Sequence, residues 1–106
     1  MTLREVCKMT GVSRRAIQGY ERAGLVLPTG KNERGYLLYD EEAMERIRQI
    51  KFFQDMGFSI KEIKEISSAP RSVLKSAIEQ RIMALQEELG QKKKIIYEAQ
   101  ELLKTL

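Results

Sequence analysis

Histidine and tryptophan are absent from these 106 residues, cysteine occurs once and proline twice. Without histidine the usual zinc and general-base constellations cannot be assembled, and a lone Cys7 makes no internal disulfide. No enzyme, metal or cofactor is expected. No run approaches the roughly 20 apolar residues needed to cross a bilayer. Glu5 also falls where a signal peptide would have its apolar centre, so the sequence predicts a cytoplasmic protein that does not meet a membrane. The residues that are present suit a folded, helix-rich chain: 42% are hydrophobic and 32% charged, too apolar for a disordered segment. Such a length holds one compact domain, or a small domain with an extension, but not two independent cores.

The charge is unevenly spread. Residues 1–36 carry seven Lys or Arg against three Glu, and residues 37–106 carry twelve against twelve, so the whole net charge of +4 is N-terminal. A surface that sits on phosphates needs such an excess, because each neutralised phosphate releases condensed counterions. Surplus basic residues that merely solvate a small domain would give the same balance, and charge alone does not choose.

Motifs in the same segment do. Thr2-Leu3-Arg4-Glu5 has the form of a capping box, and Leu3, Val6 and Cys7 follow at the spacing of a buried helical stripe, predicting a helix from about Leu3 to Met9. The small Cys7 is read as packing where helices cross, not as redox chemistry. Gly11 can end this helix, Val12 can anchor the turn, and Ser13 can cap a second helix carrying Ala16, Ile17 and Tyr20 inward, ended in turn by Gly24. Two short helices joined by a glycine-containing turn make a helix-turn-helix, whose second helix can occupy a major groove. Next come two β-prone runs, Leu25-Val26-Leu27-Pro28 and Tyr36-Leu37-Leu38-Tyr39, flanking a polar loop with Gly30, Asn32 and Gly35. This is read as a hairpin, or wing, with Lys31 and Arg34 at its tip able to reach phosphates. Taken without its neighbours it would be an ordinary exposed loop.

Two supporting helices are expected after the wing. Asp40 can cap one that buries Ala43, Met44, Ile47, Ile50 and Phe53, with Gly57 closing it. Ser59-Ile60-Lys61-Glu62 is a second capping box, opening a helix with Ile60, Ile63 and Ile66 on one face until Pro70 interrupts. Free amides near Phe58 and Ser59, with Lys61 beside them, could hold a phosphate; a purely structural helix start is the competing reading. From about Ser72 onward the apolar residues fall in alternating steps of four and three: Ile78, Ile82, Leu85, Leu89, then Ile96, Ala99, Leu103 and Leu106. Lys92 breaks this seam, and Ile95 and Leu102 widen it. A helix of about 34 residues would run on the order of 50 Å, too long for its own small domain to cover, so a second copy is expected along it. A helix folded back on its own domain is the alternative. Gly90, which costs a helix about 1 kcal/mol, is read as a bend or a close crossing.

The run VCKMTGVSRRAIQGYERAGLVLP, followed by GYLLYDEEAMERIRQIKFFQDMGFSIKEIKEI, resembles the MerR family of bacterial transcription regulators over nearly the whole chain. The order of elements, Gly-Tyr-x-x-Tyr after the wing and Met-Gly-Phe-Ser between helices carry the likeness. It implies a mainly α fold: a winged helix-turn-helix domain over 1–70, then a dimerisation helix over 71–106 paired as an antiparallel coiled coil in a homodimer. It also implies a palindromic promoter operator within an overlong spacer, bent and untwisted so that RNA polymerase engages both promoter elements. An architectural or excisionase-like DNA-bending protein is the alternative function. Residue by residue, Arg15 and Tyr20 match recognition-helix positions that face DNA, and Lys31, Tyr36 and Tyr39 match wing positions. Ser13, Arg14, Gln18, Arg34, Ser59 and Lys61 complete the expected DNA-binding set. Three residues depart from the family pattern: Gln18 for an arginine, Gly19 for an aromatic and Leu37 for an arginine. Gln18 can read adenine by a bidentate bond, which points to a different operator. Gly19 weakens its helix by about 1 kcal/mol relative to alanine. The effector, if there is one, has no signature in these residues.

Overall fold

Thr2 opens the first helix, α1 (Leu3–Thr10), with a closed capping box: its hydroxyl accepts from the Glu5 amide, and the Glu5 carboxylate accepts from the Thr2 amide. These bonds from Thr2 hold the Glu5 carboxyl below its ordinary value. Gly11, left-handed at φ 71°, ends α1 by donating to the Cys7 carbonyl, and Val12 is buried in the turn. Ser13 then caps α2 (Arg14–Arg22), its hydroxyl accepting from the Ala16 amide at 3.1 Å. Helix α2 closes on a left-handed Gly24, whose amide donates to Glu21 while Leu25 donates to the Tyr20 carbonyl. That pair of bonds also brings Leu25 back onto buried Tyr20, so the chain leaves the helix heading into the core.

The computed structural model describes Met1–Leu106 and divides into two compact units, Met1–Ser68 and Ala69–Leu106. In the first unit the wing differs from its sequence reading. Its strands are β1 (Gly30–Lys31) and β2 (Leu37–Leu38), paired antiparallel with Gly30 opposite Leu38 and Lys31 opposite Leu37. The apolar run at Leu25–Pro28 is no strand: Leu25 and Val26 are spent on the core, and Pro28 has no amide to pair. Pairing starts instead at Thr29, whose amide donates to Leu38, and the tip is closed by Asn32, which accepts from the Arg34 and Tyr36 amides. The base of the wing is fixed at the other end too. Leu38 bridges to Thr2, the Tyr39 amide donates to Met1, and the N-terminal ammonium donates to the Tyr39 carbonyl.

Helix α3 (Glu41–Met56) is the centre of the unit, packing against α1, α2 and α4 (Ile60–Ser67). Asp40 caps it, and Ala43, Met44, Ile47, Ile50, Phe53 and Met56 are buried along it. Gly57, left-handed, reverses the chain; Phe58 donates to the Phe53 carbonyl and the two rings meet edge to face at 6.0 Å. Arg46 then ties three segments together, donating to the Leu25 carbonyl, Gln49 and the Ser67 hydroxyl. In α4, Ile63 is fully buried, and Ile60 and Ile66 are half-buried beside it.

The second unit is α5 (Arg71–Lys104), 34 residues begun by Pro70, a residue suited to a helix start. It stays helical through Gly90 and contains no buried residue. Ile78 and Leu85 are half-buried, and Ile82, Leu89, Ile96, Ala99 and Leu103 are exposed. The long helix has the extent expected, and its apolar stripe lies open.

Candidate nucleic-acid interface

One face of α2 is buried by Ile17 and Tyr20, which leaves the opposite face to solvent. At 100° per residue that face carries Arg15 and Arg22 along its middle, with Gln18 on one side and Gly19 on the other. Arg14, Arg15, Gln18 and Arg22 are all exposed, as is the capping Ser13, whose hydroxyl proton remains available to a phosphate. Arg22, absent from the expected set, lies seven residues after Arg15 and four after Gln18, on the same stripe.

The start of α2 adds to this face. Glu5, Glu41 with Glu42, and Glu62 stand in the first turns of α1, α3 and α4, but the first turn of α2 has no acid. Its positive dipole end is therefore not neutralised from within, and Arg14 and Arg15 raise it further. A phosphate meets attractive charge there from both backbone and side chains.

Two tyrosines expected at the DNA are in the core instead. Tyr20 is 1% exposed, and its hydroxyl donates to Gln54 Oε1 at 2.6 Å, pinning α2 to α3. Tyr39 is also 1% exposed, and its hydroxyl donates to the Glu21 carboxylate. Burial pushes both phenols up from their ordinary values, and for Tyr39 the adjacent Glu21 adds to the shift. Neither ring has surface to offer a groove. Their role is to set geometry: Tyr39 joins the end of the wing to α2, so the two elements are held by one hydrogen bond between them.

On the wing, Lys31 and Arg34 are exposed and Tyr36 is 58% exposed. At the α4 start the capping box closes as its spacing predicts. The Phe58 amide already donates to Phe53, and the Ser59 amide and hydroxyl are both engaged by Glu62. The Phe58 and Ser59 amides are therefore not free for an anion, while the Ser59 hydroxyl proton, like that of Ser13, is left. Exposed Lys61 stays. An open groove between the Val26–Leu27 segment and α3, about 770 Å³, is lined by Glu42, Arg46 and Phe52 among others and carries none of the exposed residues named above on α2 and the wing.

The family model for MerR HTH family regulatory proteins matches residues 1–69. This chain belongs to that family. Among its MerR relatives, the HTH-type transcriptional activator mta of Bacillus subtilis (strain 168) is 35% identical over 92 residues, covering 87% of this chain but 34% of its own length. The chain thus spans about a third of that activator. Heavy metal-dependent transcription regulator 2 of Rhizobium meliloti (strain 1021) is 30% identical over all 106 residues, which cover 71% of it. In three dimensions the chain is similar to MtaN, the N-terminus of the Bacillus subtilis multidrug transporter activator, with a TM-score of 0.71, 29% identity and 97% of each chain covered. The fold of this MerR-family chain is accordingly a winged helix-turn-helix followed by a long C-terminal helix.

Proposed function

We propose that this chain is a transcription regulator that binds a palindromic promoter operator as a homodimer. The exposed face of α2, with Arg15, Gln18 and Arg22 on a helix whose start carries no acid, is the observation that carries this reading. In it, α2 lies in the major groove, Arg15 and Gln18 reach base edges, and Arg14 and Ser13 hold the flanking backbone. Lys31, Arg34 and Tyr36 of the wing and Lys61 of α4 contact phosphates of either sequence context.

Dimerisation through α5 is supported by its open stripe. Leu89 is 54% exposed and Leu103 70% exposed, a state that a second copy of the helix would relieve. Two α2 helices related by a two-fold axis then match a palindrome. Membership of the MerR family supports the last part of the proposal: the bound dimer bends and untwists an overlong promoter spacer, so that RNA polymerase can engage both promoter elements.

The experiment titrates Arg15→Ala and Lys31→Ala against an operator and against random duplex at several salt concentrations. Arg15→Ala should cost about 1 to 3 kcal/mol on the operator and much less on random DNA. Lys31→Ala should weaken both alike and make the salt slope shallower by about one unit. Shortening the spacer by one or two base pairs should then remove the promoter's dependence on the protein. Equal losses for Arg15→Ala on both DNAs would demote that residue to a phosphate ligand. Activation indifferent to spacer length would refute the distortion step, and binding not confined to a palindrome would favour an architectural DNA-bending protein.

A further inference from the structure

Glycine at position 19 has no reason inside the chain. Gly19 is not left-handed, lies in the interior of α2, and a Cβ built on it would meet only Arg22 Nη2, at 3.9 Å, an ordinary contact. Packing, backbone conformation and helix propensity would all accept alanine, and propensity would favour it. The face on which it lies is the one shared by Arg15, Gln18 and Arg22.

We infer that Gly19 is a specificity-determining position: with no side chain there, the backbone of α2 seats against base edges, at a depth in the major groove that a Cβ would prevent. Close backbone approach to a ligand is one of the few uses that compensates for a helical glycine. This inference rests on the proposal that α2 enters the groove.

The test starts from the site that the wild-type protein selects out of random duplex DNA, and compares Gly19→Ala, Arg15→Ala and Gly90→Ala. Gly90 serves as the control because it too is helical with nothing near its Cβ position, but lies on α5 one residue beyond Leu89, outside the seam. Both glycine variants should melt above the wild type. Gly19→Ala should bind the selected site on the order of tenfold more weakly, the scale of one lost base contact, with random duplex unchanged, while Gly90→Ala controls for the gain in helix stability alone. Reselection with Gly19→Ala should return a different preferred base within the half-site. Unaltered affinity and selection for Gly19→Ala, or an equal loss on random DNA, overturns the inference. If Arg15→Ala loses specificity in that case, α2 still reads the groove and only the role of Gly19 falls. If neither variant matters, α2 is not the reading helix and both fall together. A Gly19→Ala protein that melts below the wild type would place the need for glycine in the fold, and overturns it as well.

Discussion

Tyr39 ties the end of the wing to α2 through its hydroxyl, and that bond has a pH signature. Burial and the Glu21 carboxylate raise its phenol in the folded state, so the unfolded chain gives up this proton first as the pH climbs. Its contribution to stability is fully present below the ordinary phenol value of about 10 and is lost above it. Tyr39→Phe should cost about 1 to 2 kcal/mol at neutral pH, because Glu21 loses its donor. It should also flatten the fall in urea-unfolding stability between neutral and strongly alkaline pH, leaving the part that belongs to Tyr20. A variant whose alkaline loss equals that of the wild type would show that Tyr39 is not the group responsible. The family resemblance placed Tyr20 and Tyr39 at the DNA, yet helical spacing had already set Tyr20 inward with Ala16 and Ile17. Periodicity was the better guide, since burial follows from which face of α2 the core takes.

At the level of elements, the helix ends were the most legible feature. Both capping boxes, Thr2 with Glu5 and Ser59 with Glu62, close as their spacing predicts, and Gly11, Gly24 and Gly57 all adopt the left-handed conformation that stops a helix. Local chemistry fixes these, because every group involved lies within five residues of its partner. Closure of the second box gives Ser59 a structural role, and this gives a prediction that separates it from its neighbour. Ser59→Ala should lower stability by about 1 kcal/mol in thermal or urea unfolding and leave operator affinity unchanged well below the melting temperature. Lys61→Ala should do the reverse, weakening operator and random duplex together. Loss of affinity in Ser59→Ala would place that hydroxyl at the interface. The strands of the wing were harder to read: Gly30–Lys31 has no β-prone residue, and it pairs only because Thr29 and Asn32 fix the register with Leu38 and Tyr36.

For the molecule as a whole, α5 poses the sharpest question, since its seam is visible in the sequence and uncovered in the chain. Leu89→Asp tests the proposed dimer cleanly. A charge at a site already 54% exposed disturbs nothing within its own chain, so any loss must come from a partner helix. Sedimentation should give monomers, and operator affinity should fall because one α2 alone reads a half-site. A stable dimer of Leu89→Asp would move the interface off this seam.

The sequence by itself determined where each helix starts and stops, which residues of α1 to α3 turn inward, the length of α5, and the concentration of positive charge in the first third of the chain. All of these follow from short-range spacing, capping chemistry and composition. Only the tertiary structure decided that Tyr20 and Tyr39 serve as internal ties, and that the face of α2 carrying Arg15 and Arg22 is the one left open. Those outcomes depend on partners such as Gln54, 34 residues from Tyr20, and Glu21, 18 residues from Tyr39, which no local pattern connects. Packing of α2 onto α3 selects which side of a nine-residue helix is left for a ligand, and with it which residues are free to read one.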